Sequence, residues 1–356
     1  MKIWMDLSAT KDALFFNELA RRLSSKGYDT LVTGRKHEEL NQLMDLLGMD
    51  AVVVGRHGGK ELYGKLLAYA ERVSQLARIV KEEEPDLAIS YASPEAARVA
   101  FGLGIPHYCV NDTPHADAVN RLTLPLSKML FTPWIIPHEL WTKYGISRDR
   151  IVHYKAIDVV AWIRGFKPNP EVLEEVGLEK GEKFAVIRPE EYYAAYLLGR
   201  ADVDKTAVLP AVEHILSKHR DVKVVLIPRS DEQRRSLERV FGAEVVVAEK
   251  AVDFRSLVCF SSLFVGAGGT MNWEAALLGV PTISCFPGPS HPVENFFVKE
   301  GLVYKAKNPK ELKELVDYVL SDEDLAKAHK SKAEKLVEGM EDPVGVIAGY
   351  VQRAEK

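Results

Sequence analysis

The chain has 356 residues, of which 47% are apolar and 28% charged, and it carries a net charge of −4. That length exceeds what one hydrophobic core usually serves and points to two domains of ordinary size. No stretch reaches the roughly 18 apolar residues of a membrane span, and the slightly acidic balance argues against a nucleic-acid partner, which calls for a basic surface.

The N-terminus, Met1-Lys2-Ile3-Trp4-Met5-Asp6, enters a strand-like run directly, without signal-peptide architecture, so a cytoplasmic location is expected. From there, short β-rich runs alternate with helix-length amphipathic stretches, the pattern of parallel sheets built from βαβ units. In the first half the predicted strands are 3–6, 30–33, 51–54, 87–90 and 107–110. Predicted helices occupy 12–26, 37–47, 61–84, 94–103 and 116–128, with Gly27 and Gly48 as C-terminal caps. Gly165-Phe166-Lys167-Pro168-Asn169-Pro170 disfavours continuous secondary structure and marks a domain boundary. The pattern then restarts with strands at 184–187, 223–227, 244–247, 263–266, 282–285 and 303–305. Helices are expected at 206–219, 231–241, 253–261, 270–278, 293–300, 322–338 and 343–354. Cys109, Cys259 and Cys285 are odd in number and each sits in an apolar run, so buried thiols are expected rather than disulfides or a metal site.

Open α/β sheets bind ligands at the carboxyl ends of their strands. In the first half those tips carry Asp6-Leu7-Ser8-Ala9-Thr10-Lys11, Ser90-Tyr91-Ala92-Ser93 and Asn111-Asp112-Thr113-Pro114-His115-Ala116-Asp117. The last loop is the densest, with Asp112, Asp117 and His115 as candidates for proton transfer near neutral pH. Asp and Asn ahead of a helix are also good caps, so part of this loop is expected to do only that. In the second half Arg188 and Arg229 each follow an apolar run beside a proline, which would aim a guanidinium at a phosphate; the competing reading pairs them with Glu190 or Asp231. Glu294 and Asn295, after His291, serve equally well as helix-start residues or sugar contacts.

The most informative stretch is Gly266-Ala267-Gly268-Gly269-Thr270-Met271-Asn272-Trp273-Glu274-Ala275-Ala276-Leu277-Leu278-Gly279-Val280-Pro281, a strand ending in a glycine turn that opens into a helix. Gly268, Gly269 and Thr270 would seat a diphosphate on the first amides of that helix. Glu274, one turn in, could accept hydrogen bonds from two ribose hydroxyls. This stretch resembles the nucleotide-binding segment of GT-B glycosyltransferases, in which a glycine-threonine turn precedes Glu-Ala and then Gly-x-Pro. The resemblance implies that Glu274 holds the ribose and the turn the phosphates.

Ser93-Pro94-Glu95-Ala96-Ala97, Gly104-Ile105-Pro106-His107 and Asn120-Arg121-Leu122 are similar to the matching region of non-hydrolysing UDP-N-acetylglucosamine 2-epimerases. Those enzymes share the GT-B fold but carry a glutamate where this chain has Asn111-Asp112, and a histidine-arginine pair where it has Ile187-Arg188. Over its full length the chain resembles an uncharacterised archaeal family described as glycosyltransferase-like. These resemblances imply an α/β protein of two Rossmann-like parallel-sheet domains facing a central cleft. The N-terminal domain would take residues 1–164, the C-terminal domain 165–340, and a last helix over 341–356 would cross back to the first. They imply a metal-independent transferase that uses a nucleotide sugar, a UDP-sugar first of all, and needs no cofactor. An epimerase-like isomerase and a non-catalytic sugar-nucleotide-binding subunit are the alternatives. The acceptor and the oligomeric state carry no signature in the sequence.

Overall fold

The computed structural model describes residues 1–59, 61–190, 206–248, 252–322 and 324–354. Two compact units share the chain: Met1–Trp162 with Met340–Lys356, and Ile163–Gly339. Strands of the first unit are β1 (Lys2–Leu7), β2 (Asp29–Lys36), β3 (Val52–Arg56), β4 (Leu87–Ser90), β5 (His107–Val110), β6 (Met129–Pro133) and β7 (Ile151–Tyr154). The helices among them are α1 (Thr10–Ser24), α2 (Glu38–Leu46), α3 (Leu62–Glu83), α4 (Pro94–Gly102), α5 (Asp117–Thr123) and α6 (Glu139–Thr142). The seven strands are all parallel, in the order β3-β2-β1-β4-β5-β6-β7. The order reverses between β1 and β4, so their carboxyl ends form the crevice where such sheets place ligands.

After α7 (Val160–Ile163) and α8 (Glu171–Glu175), the second unit runs β8 (Phe184–Arg188), α9 (Leu209–Lys218), β9 (Lys223–Leu226), α10 (Asp231–Phe241) and β10 (Val246–Val247). It continues through α11 (Phe254–Cys259), β11 (Leu263–Gly266), α12 (Thr270–Leu277), β12 (Thr282–Ser284), α13 (Pro292–Lys299), β13 (Val303–Lys305), α14 (Pro309–Ser321) and α15 (Leu325–Glu338). Its six parallel strands are ordered β10-β9-β8-β11-β12-β13, with the switch point between β8 and β11, where Gly266 lies in register with Arg188. The last helix, α16 (Pro343–Ala354), belongs to the first unit and packs on α1. Arg22 and Asp342 are ion-paired near that contact.

Both sheets are covered on two faces, which is why their central strands are mostly apolar and buried rather than alternating. Every residue of β4, β5, β8 and β11 is buried. On β8, Ala185 and Ile187 join one apolar cluster with Val212 and Ile215 of α9 and Val316 of α14. Phe184 and Val186 point to the opposite face and join Leu257 of α11 and Ala275 of α12. The strand's period of two thus divides the core into two layers. Among the described residues no helix is long and apolar enough to cross a membrane.

Several expectations need correction. The predicted helix over 116–128 stops at Thr123 because Pro125 cannot donate in a helix interior; a 3-10 turn at Leu124–Leu126 leads instead into β6, which the sequence reading missed along with β7 and α14. The strand expected over 244–247 is reduced to Val246–Val247, preceded by a 3-10 turn over Gly242–Glu244. Cys109 and Cys285 are buried, but Cys259 is half-buried. Burial pushes the Cys109 and Cys285 thiols up to about 12.

Candidate functional site

In the C-terminal unit the glycine turn stands at the switch point. Gly268 and Gly269 have φ of 95° and 97°, a left-handed conformation that side chains with a Cβ resist. An added Cβ at Gly268 would lie 2.6 Å from the Phe286 ring, whereas one at Gly269 would meet only Nη2 of Arg229, at 3.7 Å. Gly269 is the N-cap of α12 and supplies no side-chain hydrogen bond to the helix start. The Asn272 amide of α12 already donates to the Gly269 carbonyl at 3.2 Å; the amides of Thr270 and Met271 precede it at the positive end of the helix dipole, where an anion would sit. Arg229 follows β9; its Nε donates to the Pro189 carbonyl at 2.9 Å and its amide to Gln233 Oε1 at 2.8 Å. The geometry thus puts a guanidinium beside the glycine turn.

Arg188 is used differently. It is buried, and its Nη1 donates to the carbonyls of Ile227 and Pro228 at 3.2 and 2.6 Å, bracing the exit of β9. The carboxyl groups weighed as its alternatives, and as those of Arg229, have other contacts. Glu190 accepts from Thr206 Oγ1 at 2.6 Å and the Ala207 amide at 3.0 Å, and Asp231 pairs with Arg234 at 3.3 Å. Thr270 opens α12, and Glu274, only 3% exposed, sits in its second turn.

Glu294 is 1% exposed and accepts from Ser284 Oγ at 2.6 Å and from Lys305 Nζ at 2.9 and 3.0 Å. Burial pushes its carboxyl up, but the hydrogen bonds from Ser284 and Lys305 outweigh it and hold the group below its ordinary value. Asn295 is exposed on the outer side of α13. Sequence reading missed Lys305, the last residue of a three-residue strand, which also donates to the Phe286 carbonyl at 2.9 Å. It missed Asn272 too, fully buried and tied to the Gly266 carbonyl at 3.4 Å, although the residue stands inside the quoted motif.

In the N-terminal unit the loop after β5 divides. Asp112 turns inward, with Oδ1 accepting from Lys11 Nζ at 2.7 Å and from Thr113 Oγ1 at 2.7 Å. His115 is exposed, and Asp117 is exposed in an (i, i+4) ion pair with Arg121 at 2.7 Å. Asn111 shapes the loop rather than lining it: its Oδ1 accepts from the Thr113 amide and its Nδ2 donates to Asn120.

Behind Asp112 lies a group the sequence reading did not assemble. Tyr91 and Tyr154 both donate to the carboxylate of Asp158, which is 2% exposed. Lys11 Nζ lies 3.9 Å from the Tyr91 ring centroid. The two carboxyls are driven apart. Burial raises Asp112, but Lys11 outweighs it and lowers the group below its ordinary value; burial, then the Asp112 charge, pushes Asp158 up to about 7. A carboxyl pair split in this way is a recurring acid–base arrangement. Lys11 and Tyr91 stood in the strand tips singled out from sequence; Tyr154 ends β7 and Asp158 follows it, and the short run of β7 gave no strand signal.

A raised carboxyl carries a pH signature. Folding favours the neutral form of Asp158, so its contribution is present below the ordinary value of 3.8 and lost as pH rises through about 7. Asp12, pushed up by burial to about 6, adds the same slope at lower pH. Denaturation of the wild type should therefore show stability falling between about pH 4 and 7 from these groups, and Asp158→Asn should flatten the upper part of that slope. An unchanged slope in the variant would remove Asp158 from this role.

The family described as "Protein of unknown function (DUF354)" matches residues 1–356. The chain belongs to this family. An uncharacterised protein of Methanocaldococcus jannaschii is 31% identical over 323 residues, covering 90% of this chain and 91% of that one. Among solved structures, Staphylococcus aureus MnaA with UDP aligns at TM-score 0.76 and 14% identity, covering 99% of this chain and 96% of the other. The UDP-GlcNAc 2-epimerase of M. jannaschii in complex with UDP-GlcNAc and UDP aligns at 0.71 and 17%, covering 95% and 100%. Spinosyn rhamnosyltransferase SpnG with its aglycone aligns at 0.64 and 12%, covering 98% and 100%. At these identities the likeness establishes the fold, which is of GT-B type.

Proposed function

We propose that this chain is a sugar-nucleotide enzyme of GT-B type. Its C-terminal unit would bind the diphosphate at Gly268, Gly269 and Thr270, with Arg229 beside it, and the ribose at Glu274. One observation carries the reading: a helix start with no side-chain cap, reached through two left-handed glycines at the switch point of the sheet, with a guanidinium alongside. The helix-end amides and Arg229 would stabilise the departing diphosphate electrostatically, a task that elsewhere falls to a divalent ion. Transfer of the sugar to an acceptor hydroxyl then needs a base. Asp112 suits that task better than His115 or Asp117, because it is the carboxylate of the loop that turns inward, where it accepts from Lys11 Nζ.

A second reading, epimerisation of the same nucleotide sugar without an acceptor, is favoured by the likeness to the M. jannaschii epimerase in complex with UDP-GlcNAc and UDP. Incubation of UDP-sugars with no acceptor separates the two: an epimeric product supports isomerisation, and unchanged donor supports transfer.

Calorimetric titration with UDP tests the shared part. Wild type should bind, and Glu274→Gln, which keeps the size of a side chain only 3% exposed, should bind about tenfold more weakly for loss of charged ribose hydrogen bonds. Gly269→Val should abolish binding through both φ and bulk. Gly268 variants would instead strike Phe286 and report on packing. UDP affinity unchanged in both Glu274→Gln and Gly269→Val would sink the assignment.

A further inference from the structure

In the C-terminal unit the α9 helix ends at Lys218, and its cap His219 leaves helical geometry at φ −116° and ψ 61°. That departure folds the His219 ring back toward His214, with centroids 5.9 Å apart at 65°. The α14 helix packs along α9 and contributes Asp317. His214 Nε2 and His219 Nε2 both lie on the same carboxylate oxygen, Oδ1, at 2.8 and 2.7 Å. One ligand atom from each residue falls within 4.8 Å of the other two, and among the described residues this is the one trio of His, Cys, Asp and Glu so arranged. The three side chains are 15%, 16% and 30% exposed, close enough to the surface for an ion to enter and leave.

We propose that His214, His219 and Asp317 form a site for a divalent cation of zinc type, pinning the end of α9 to α14, with water completing the coordination. Two neutral imidazole nitrogens and one carboxylate oxygen are the donor set such an ion prefers. Bonds of about 2.0–2.1 Å in a tetrahedron place ligand atoms about 3.3 Å apart, so the two N···O separations open by roughly half an ångström when the ion replaces the protons now shared there. Lys218 Nζ, on the other carboxylate oxygen at 2.6 Å, is 59% exposed and can swing away.

The location argues against catalysis. The site lies where α9 hands over to the start of β9, the amino end of the sheet, whereas the glycine turn stands at the carboxyl end of β11. The cation therefore clamps two helices of one layer, and its role is independent of the nucleotide reading. The competing account is a protonated histidine cap at the C-terminal end of α9, which favours cations without any metal.

Full-length protein stripped with chelator and titrated calorimetrically with zinc chloride should take up one equivalent per chain and gain thermal midpoint. His214→Gln and His219→Gln keep a donor for Asp317 and so preserve the fold, yet each should weaken zinc binding at least tenfold. Asp317→Asn should do the same, and His138→Ala, in the separate His138–His153 pair of the other unit, should bind as wild type. Cobalt(II) substituted at the site should give a coordination spectrum that both glutamine variants lose. Wild type without saturable uptake, or uptake that survives His214→Gln/His219→Gln, overturns the proposal.

Discussion

Asp112→Asn should lower turnover of the sugar nucleotide by about 10²–10⁴-fold, the usual worth of general acid–base catalysis, while UDP affinity changes little. The loss follows from geometry: Asp112 alone of the three loop candidates turns inward, where it accepts from Lys11 Nζ, while His115 and Asp117 are exposed. His115→Ala is the matched comparison, because His115 is exposed on the same loop. Its turnover should stay close to wild type. The substitution at Asp112 also strips Lys11 of its carboxylate, so activity has to be counted per folded molecule, with a thermal midpoint taken on the same preparation. Full turnover in Asp112→Asn together with a collapse in His115→Ala would return the base to the exposed histidine.

Lys305→Met should cost about 3–5 kcal/mol of stability at neutral pH, because it leaves the Glu294 carboxylate buried without its cation. The sign with pH is specific. In the wild type Glu294 is held below its ordinary value of 4.5, so its contribution is complete above that pH and is lost as pH falls through the folded value. The variant should behave in the opposite sense, with its deficit shrinking as acid neutralises the orphaned carboxyl. Removing both charges in Lys305→Met/Glu294→Gln should recover most of the loss. Urea unfolding of wild type and the two variants at neutral and mildly acidic pH measures this, and a single-variant cost under about 1 kcal/mol would show that Glu294 is not dependent on Lys305. A strong dependence would show that Glu294 ties the ends of β12 and β13 together through Ser284 and Lys305.

Local signals in the sequence were sufficient for the fold class and for the glycine turn that the proposed function uses. Two runs of alternating strand and helix predicted two parallel sheets, since βαβ patterning is written within some thirty residues at a time. The turn at Gly266 to Thr270 was legible because glycine at a strand-to-helix junction is a local necessity, here realised as two left-handed residues. The elements that escaped were those with weak local patterns: β6 and β7 are short and half composed of polar or aromatic residues, and Pro125 cut a helix that amphipathicity alone would have continued. Which polar residues matter was a different kind of question. His115, Asp112 and Asp117 are equivalent as titratable residues of one loop, yet only the packing of β1, β4, β5 and β7 brings Lys11, Tyr91, Asp112 and Asp158 together across some 150 residues of chain. Arg188 and Arg229 look alike in sequence, and only the sheet sends one to brace carbonyls and the other to the glycine turn. Secondary structure and turn chemistry depend on neighbours in the chain and can be read from it; protonation, ion pairing and the choice among like residues depend on burial and on neighbours in space, which tertiary structure alone decided.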